Sequence, residues 1–190
     1  SDPKECAPSG GRVGHAGDRA PATSESLALG ATACARLLRH AIRVGIGPRE
    51  AAELYHRGEE AARRSSNLHA LAEIQTSYGI ARHFAGHVRD SLDLLEDAVR
   101  TADQARDPGL RAATRSALLV HQTRRVEEEL RLADEVLTLC DGDARLGTAV
   151  AGFSPSLVAE VLRGRALLAG GQVRDARRQL ERADHLVDTY

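Results

Sequence analysis

The stretch "FAGHVRDSLDLLEDA" at 84–98 is echoed much later by "AGGQVRDARRQLERA" at 169–183. Set one under the other, they share Gly86/Gly171, Val88/Val173, Arg89/Arg174, Asp90/Asp175, Leu95/Leu180, Glu96/Glu181 and Ala98/Ala183. The echo extends upstream. Gly79, Gly86, Ser91 and Ala98 have the same spacings as Gly164, Gly171, Ala176 and Ala183. Each set spans two helical patterns and the turn between them. The first glycine falls inside the first helix, where a missing side chain lets a second helix approach. The second glycine makes the turn. The small residues that follow lie on the inner face of the second helix, and Leu95 and Leu180 fill the gap between hairpins. Glycine inside a helix costs roughly 1 kcal/mol against Ala, so its recurrence there points to packing.

Around this repeat the pattern is helical almost throughout. The composition favours Ala, Leu, Arg and Glu, all good helix formers. Helices are expected over about 27–44 (capped by Ser24 or Ser26), 48–64, 68–85, 88–105, 110–122, 125–140, 155–169 and 173–188. Pro48 and Pro155 suit first helical turns, and Ser154 suits the cap before the latter. Asp107-Pro108 is expected to stop the helix before it, because the residue before proline is pushed away from helix. Residues 142–153 read as a short irregular insertion. No stretch alternates with a period of two, so no strand is expected. Residues 1–23 hold three of the six prolines and no apolar periodicity, which reads as a flexible linker or leader.

These helix–turn–helix units resemble the tetratricopeptide repeat, a unit of about 34 residues that stacks into a solenoid. The clear copies are 68–105 and 153–188. Looser copies fall at 110–140 (Ala117, Arg124, Val126, Glu129, Leu130, Ala133, Val136) and 27–64 (Ala51, Gly58). The family's Trp and its usual aromatic partners are missing. The resemblance implies an all-α, right-handed, TPR-like solenoid of about four hairpins over 24–190. Within the family, the long helices, the break at 107–108 and "GFSPSLVAEVLRGRALLAGGQVRDARRQLERA" are similar to the carboxy-terminal repeat segments of large bacterial signalling proteins. Such proteins join an ATPase module to a cyclase domain or to a LuxR-type DNA-binding domain. The chain contains no Met, and it reads as a piece of a longer protein or a processed one.

In the resembled family the first helices of successive hairpins line a groove that takes a peptide or a helix. Carried onto this chain, the groove positions are Arg36, His40 and Arg43; Glu73, Thr76, Ile80 and His83; Arg111, Thr114 and His121; and Arg165 with Leu168. The set is mainly basic, so it implies an acidic segment or a neighbouring domain as partner. The family's Asn-and-Lys clamp for a terminal carboxylate is not matched.

Charge and chemistry narrow the function. The chain has 26 basic and 27 acidic side chains, a formal net charge of −1 and 3% aromatics. That balance argues against sequence-independent nucleic-acid binding and against a base-stacking platform. No apolar run is long enough to span a membrane, and nothing reads as a signal peptide. Cys6, Cys34 and Cys140 are far apart, so a reduced, cytoplasmic setting fits best. Cys34 and Cys140 are expected as small buried residues. His83 and His87 are four apart, but Gly86 separates them, and no metal site is expected. Glu127, Glu128 and Glu129 read as a solvated first turn favouring the helix dipole. Gly11, Gly14 and Gly17 lack the strand and the GK[ST] of a phosphate loop. No catalytic constellation, cofactor or metal follows from these patterns. The expected role is noncatalytic: an interaction or regulatory segment. Self-association through the last hairpin is the alternative, and a small-molecule sensor or hydrolase stands third.

Overall fold

A computed structural model describes residues 23–122 and 125–189. Residues 1–22 of the expected 1–23 leader, with Cys6, Gly11, Gly14 and Gly17, and Arg124 lie outside them, and Thr23 belongs to the helical region as the cap of α1. The described residues form nine helices and no strand. They are α1 (Ser24–Val44), α2 (Pro48–Arg64), α3 (Leu68–Phe84), α4 (Val88–Ala105), α5 (Pro108–His121), α6 (Val126–Cys140), the short α7 (Thr148–Ala151), α8 (Pro155–Ala169) and α9 (Val173–Thr189). None is long and apolar enough to cross a membrane. The most extensive contacts join α3 to α4, α1 to α2 and α8 to α9, with α6 also against α8. The first helices α1, α3 and α5 pack in succession.

The helix boundaries follow local chemistry. Thr23, rather than Ser24 or Ser26, caps α1: its hydroxyl accepts from the Ser26 N–H at 3.2 Å. Asn67 and Ser154 cap α3 and α8 in the same way. Asp107 caps α5 by accepting from the Leu110 N–H at 2.7 Å, with Pro108 in the first turn. The Asp-Pro pair therefore starts a helix as well as ending one. The 142–153 insertion is not wholly irregular, since it contains α7.

The turn after α3 and the turn after α8 are the same structure. His87 N–H donates to Arg82 O and Gly86 N–H to His83 O, each at 2.9 Å. Gln172 N–H donates to Leu167 O at 2.8 Å and Gly171 N–H to Leu168 O at 3.0 Å. Gly86 and Gly171 sit at φ 85° and 78°, the left-handed region in which glycine closes a helix without strain.

The in-helix glycines also repeat. A Cβ on Gly79 would lie 3.0 Å from Leu95 Cγ, and one on Gly164 would lie 2.8 Å from Leu180 Cγ. Each leucine thus rests on the bare backbone of its own hairpin's first helix, in addition to any role between hairpins. The flanking small residues Ser91, Ala98, Ala176 and Ala183 are all buried. The two leucines differ in what lies beyond them. Leu95 is fully enclosed in a core shared with α5 and α6, whereas Leu180 is 41% exposed. In the looser first copy, Gly58 takes the close approach, since a Cβ there would meet Cys34 Cβ at 2.7 Å.

The two glycines should therefore respond differently to a methyl group. Gly79→Ala drives a Cβ into an enclosed Leu95 and the Cβ of Leu94 at 3.3 Å. It should lose about 1–2 kcal/mol in urea denaturation despite the helix-propensity gain. Gly164→Ala meets a leucine that can swing toward solvent, so its stability should stay within about 0.5 kcal/mol of the parent or rise. Equal losses at the two sites would contradict this account.

Candidate functional site

The three first helices α1, α3 and α5 converge on a cavity of about 160 Å³. Arg39, Ile42 and Arg43 line it from α1; Thr76, Ser77 and Ile80 from α3; Ala113 and Ala117 from α5. Its remaining wall is the insertion, through Val150, Ala151 and Phe153. Three positions projected as groove-facing, Arg43, Thr76 and Ile80, are brought together here. Thr76 points its hydroxyl back to Ala72 O at 2.7 Å, which leaves its methyl as the surface it offers.

The insertion reaches this place from far away in the sequence. Its ends are pinched together, because the Ser154 hydroxyl donates to Ala144 O at 2.7 Å. Gly147 passes so close to the start of α5 that a Cβ there would lie 2.6 Å from Gly109 O. Beyond it, Arg39 Nη1 donates to Ala149 O at 2.8 Å and to Val150 O at 2.9 Å. Arg43 lies against Gly152, where a Cβ would meet its Nη2 at 2.5 Å.

The other projected positions are dispersed. Arg36 and His40 are exposed on α1 and form no ion pair among the described residues. His69 Nδ1 lies 3.2 Å from a Glu73 carboxylate oxygen. Arg111 donates to Asp103 at 2.8 Å, and Arg165 to Glu129 at 3.1 Å. Those two arginines are therefore matched by carboxylates, and the set is less basic than its residue types suggest. Glu129 is buried and accepts from the exposed Arg165, so the Glu127–Glu129 run is not wholly a solvated turn. Thr114 is fully enclosed and has no surface to offer a partner. Leu168 is exposed and lines a separate shallow hollow with Leu180.

His83 and His121 meet at the far ends of α3 and α5, with ring centroids 4.5 Å apart and Phe84 edge-on to His121. His83 Nδ1 is buried without a hydrogen-bond partner. Burial, and secondarily His83, holds His121 down at about 4. His87 stands at the N-cap position of α4, with no capping hydrogen bond from its side chain, and so is not on one helix with His83. No group of three or more His, Cys, Asp or Glu that could hold a metal occurs among the described residues. Cys34 and Cys140 are both buried, and burial together with Asp143 raises the Cys140 thiol to about 11.

Two arginines were not legible as special. Arg39 falls on the same stripe of α1 as Arg36, His40 and Arg43, and only this shared stripe hints at it. Arg115 lies inside the apolar run of α5. It joins three helices by donating to Asp103 of α4 at 2.9 Å and to Glu135 of α6 at 3.0 Å. Its hydrogen bond is the main reason the Asp103 carboxyl is held below its usual range. A single charged residue amid small and apolar ones was the available signal.

No protein-family model matches the chain, and no curated protein or solved structure is found to match it.

The histidine pair gives a pH dependence with a definite sign. His121 titrates near 4 when folded and near 6.5 when unfolded, so the unfolded chain takes up the proton first. The stability tied to neutral His121 is complete above pH 6.5 and is lost as pH falls toward 4. Between pH 7 and 5 the chain should lose about 2 kcal/mol, and His121→Leu should remove most of that loss. Urea denaturation at the two pH values checks it. The same slope in the variant would show that other groups carry the effect.

Proposed function

We propose that the chain is a noncatalytic interaction segment: a TPR-like right-handed solenoid of about four hairpins within a larger bacterial signalling protein of the cyclase or transcriptional-regulator type, working in the cytoplasm. The observation that carries this reading is the duplicated hairpin. Gly79–Leu95 and Gly164–Leu180 make the same contact, and both hairpins close with the same left-handed glycine turn. Units repeated in this way present successive first helices side by side, a surface suited to an extended or helical partner. Arg36, His40 and Arg43 project from α1 without a carboxylate partner among the described residues, which favours an acidic segment. A partner or neighbouring domain held there would shift the parent protein between its on and off states.

Self-association is the second reading, favoured by one observation on α9. Val173, Leu180 and Val187 are spaced by seven and are all exposed. The equivalent leucine in the earlier hairpin is fully enclosed by the helices that follow it.

Light scattering over a concentration series separates the two. A monomer whose mass does not change with concentration supports the partner reading, and a fluorescein-labelled Asp/Glu-rich peptide should then bind it. That binding should fall at least tenfold in Arg36→Glu/His40→Glu and weaken with salt. Equal binding by the charge-reversed variant removes the acidic-partner reading. A stable dimer that Leu180→Glu turns into monomer supports self-association instead, and a dimer unaffected by that change counts against it.

A further inference from the structure

Between the end of α6 and the start of α8 the chain makes an excursion that the connection does not require. Helix–helix connections commonly take 2–8 residues. Here Ala144 and Ser154 already touch through a 2.7 Å hydrogen bond, so the residues between them leave and return to one place. This is the form of an Ω-loop, whose ends are close and whose body packs on itself or its surroundings. Its body reaches α1, where Arg39 is separated from it by 110 and 111 residues of sequence. What it presents there is specific: one helical turn, two main-chain carbonyls, the apolar Val150 and Phe153, and Gly152 under the Arg43 guanidinium.

Arg39 satisfies the two carbonyls left open at the end of that turn, as an arginine in a peptide-binding face would for an external peptide. Ile42, Ile80 and Ala117 line the same cavity as its apolar Val150 and Phe153, and Val150 packs against Ala72, Ala102 and Leu110. We propose that residues 145–153 are an internal occupant of a peptide-binding face formed by α1, α3 and α5, and that the external ligand of this face is a peptide of the same chemistry: one helical turn of small apolar residues closed by glycine and followed by an aromatic. The proposal rests on the reading of the chain as an interaction segment and names what that segment takes and what covers it at rest. The basic residues Arg36 and His40, which lie outside the cavity, are a separate surface on α1.

The test replaces residues 145–153 by Gly-Gly, joining Ala144 to Ser154 where they already meet. A fluorescein-labelled synthetic peptide of residues 144–154 is titrated into this variant, into the intact chain and into the variant carrying Arg39→Ala. Binding at least tenfold tighter to the opened variant than to the intact chain, and abolished by Arg39→Ala, is expected. No binding by a variant whose helical circular dichroism and cooperative unfolding are intact overturns the proposal, as does binding that ignores Arg39. The Asp/Glu-rich peptide runs alongside. If it alone binds, the internal-occupant proposal fails while the interaction reading stands; if neither peptide binds, both fail. Should the shortened chain not fold, hydrogen exchange on full-length Arg39→Leu decides. The amides of Val150, Ala151 and Gly152, which donate within the excursion, should exchange at least tenfold faster while those of α3 and α5 are unchanged. Unchanged exchange at those three amides overturns the proposal.

Discussion

The contact on which the other packing depends is a leucine side chain resting on bare helix backbone. At Gly79 and Gly164 no Cβ stands between the helices, and Leu95 and Leu180 occupy that space. The distance between α3 and α4 is thereby set by a hydrogen atom rather than a methyl group. Ser91 and Ala98, on the same helix as Leu95, are fully enclosed with it. A chain with 3% aromatics has few large side chains for filling gaps. It reaches close packing instead by bringing backbones together over alanine, serine and glycine.

Close packing of small residues leaves helix orientation weakly specified, and buried polar contacts supply what shape does not. The Thr101 hydroxyl meets Gln75 Oε1 at 2.9 Å across α3 and α4. Arg115 ties α5 to both α4 and α6. Arg163 donates to Gln179 Oε1 at 2.7 Å across α8 and α9. Each link joins helices that also share apolar contacts, so a slip in register would leave a buried donor or acceptor unmatched. Such a loss is worth about 1–3 kcal/mol, enough to discriminate one packing from its neighbours.

How much of this was legible depends on the range of the interaction. The eight long helices were readable within a few residues, because caps, prolines and left-handed glycines act within one turn of where they stand. The doubled hairpin was readable because the same geometric demand had produced the same residues twice. Thr114 was misplaced as a surface residue, since the loss of both glycines in that copy removes the marker that fixes rotation about α5. The burial of Glu129 is not legible in the acidic run, because its partner Arg165 stands 36 residues away on another helix. The path of 142–153 is not legible in the sequence beyond its being an insertion. Its course depends on Arg39 and Gly109, and no periodicity connects those residues to it.

The pinched loop has a thermodynamic consequence. Because Ala144 and Ser154 hold both ends, residues 145–153 meet Arg39 as a tethered group and not as a solute. Short tethers of this kind correspond to effective concentrations in the millimolar range. A peptide held as proposed would need the same Arg39 Nη1, which serves both Ala149 O and Val150 O, and would compete with that standing concentration. Its apparent affinity would then be set as much by nine residues of connecting chain as by the helices of the proposed face.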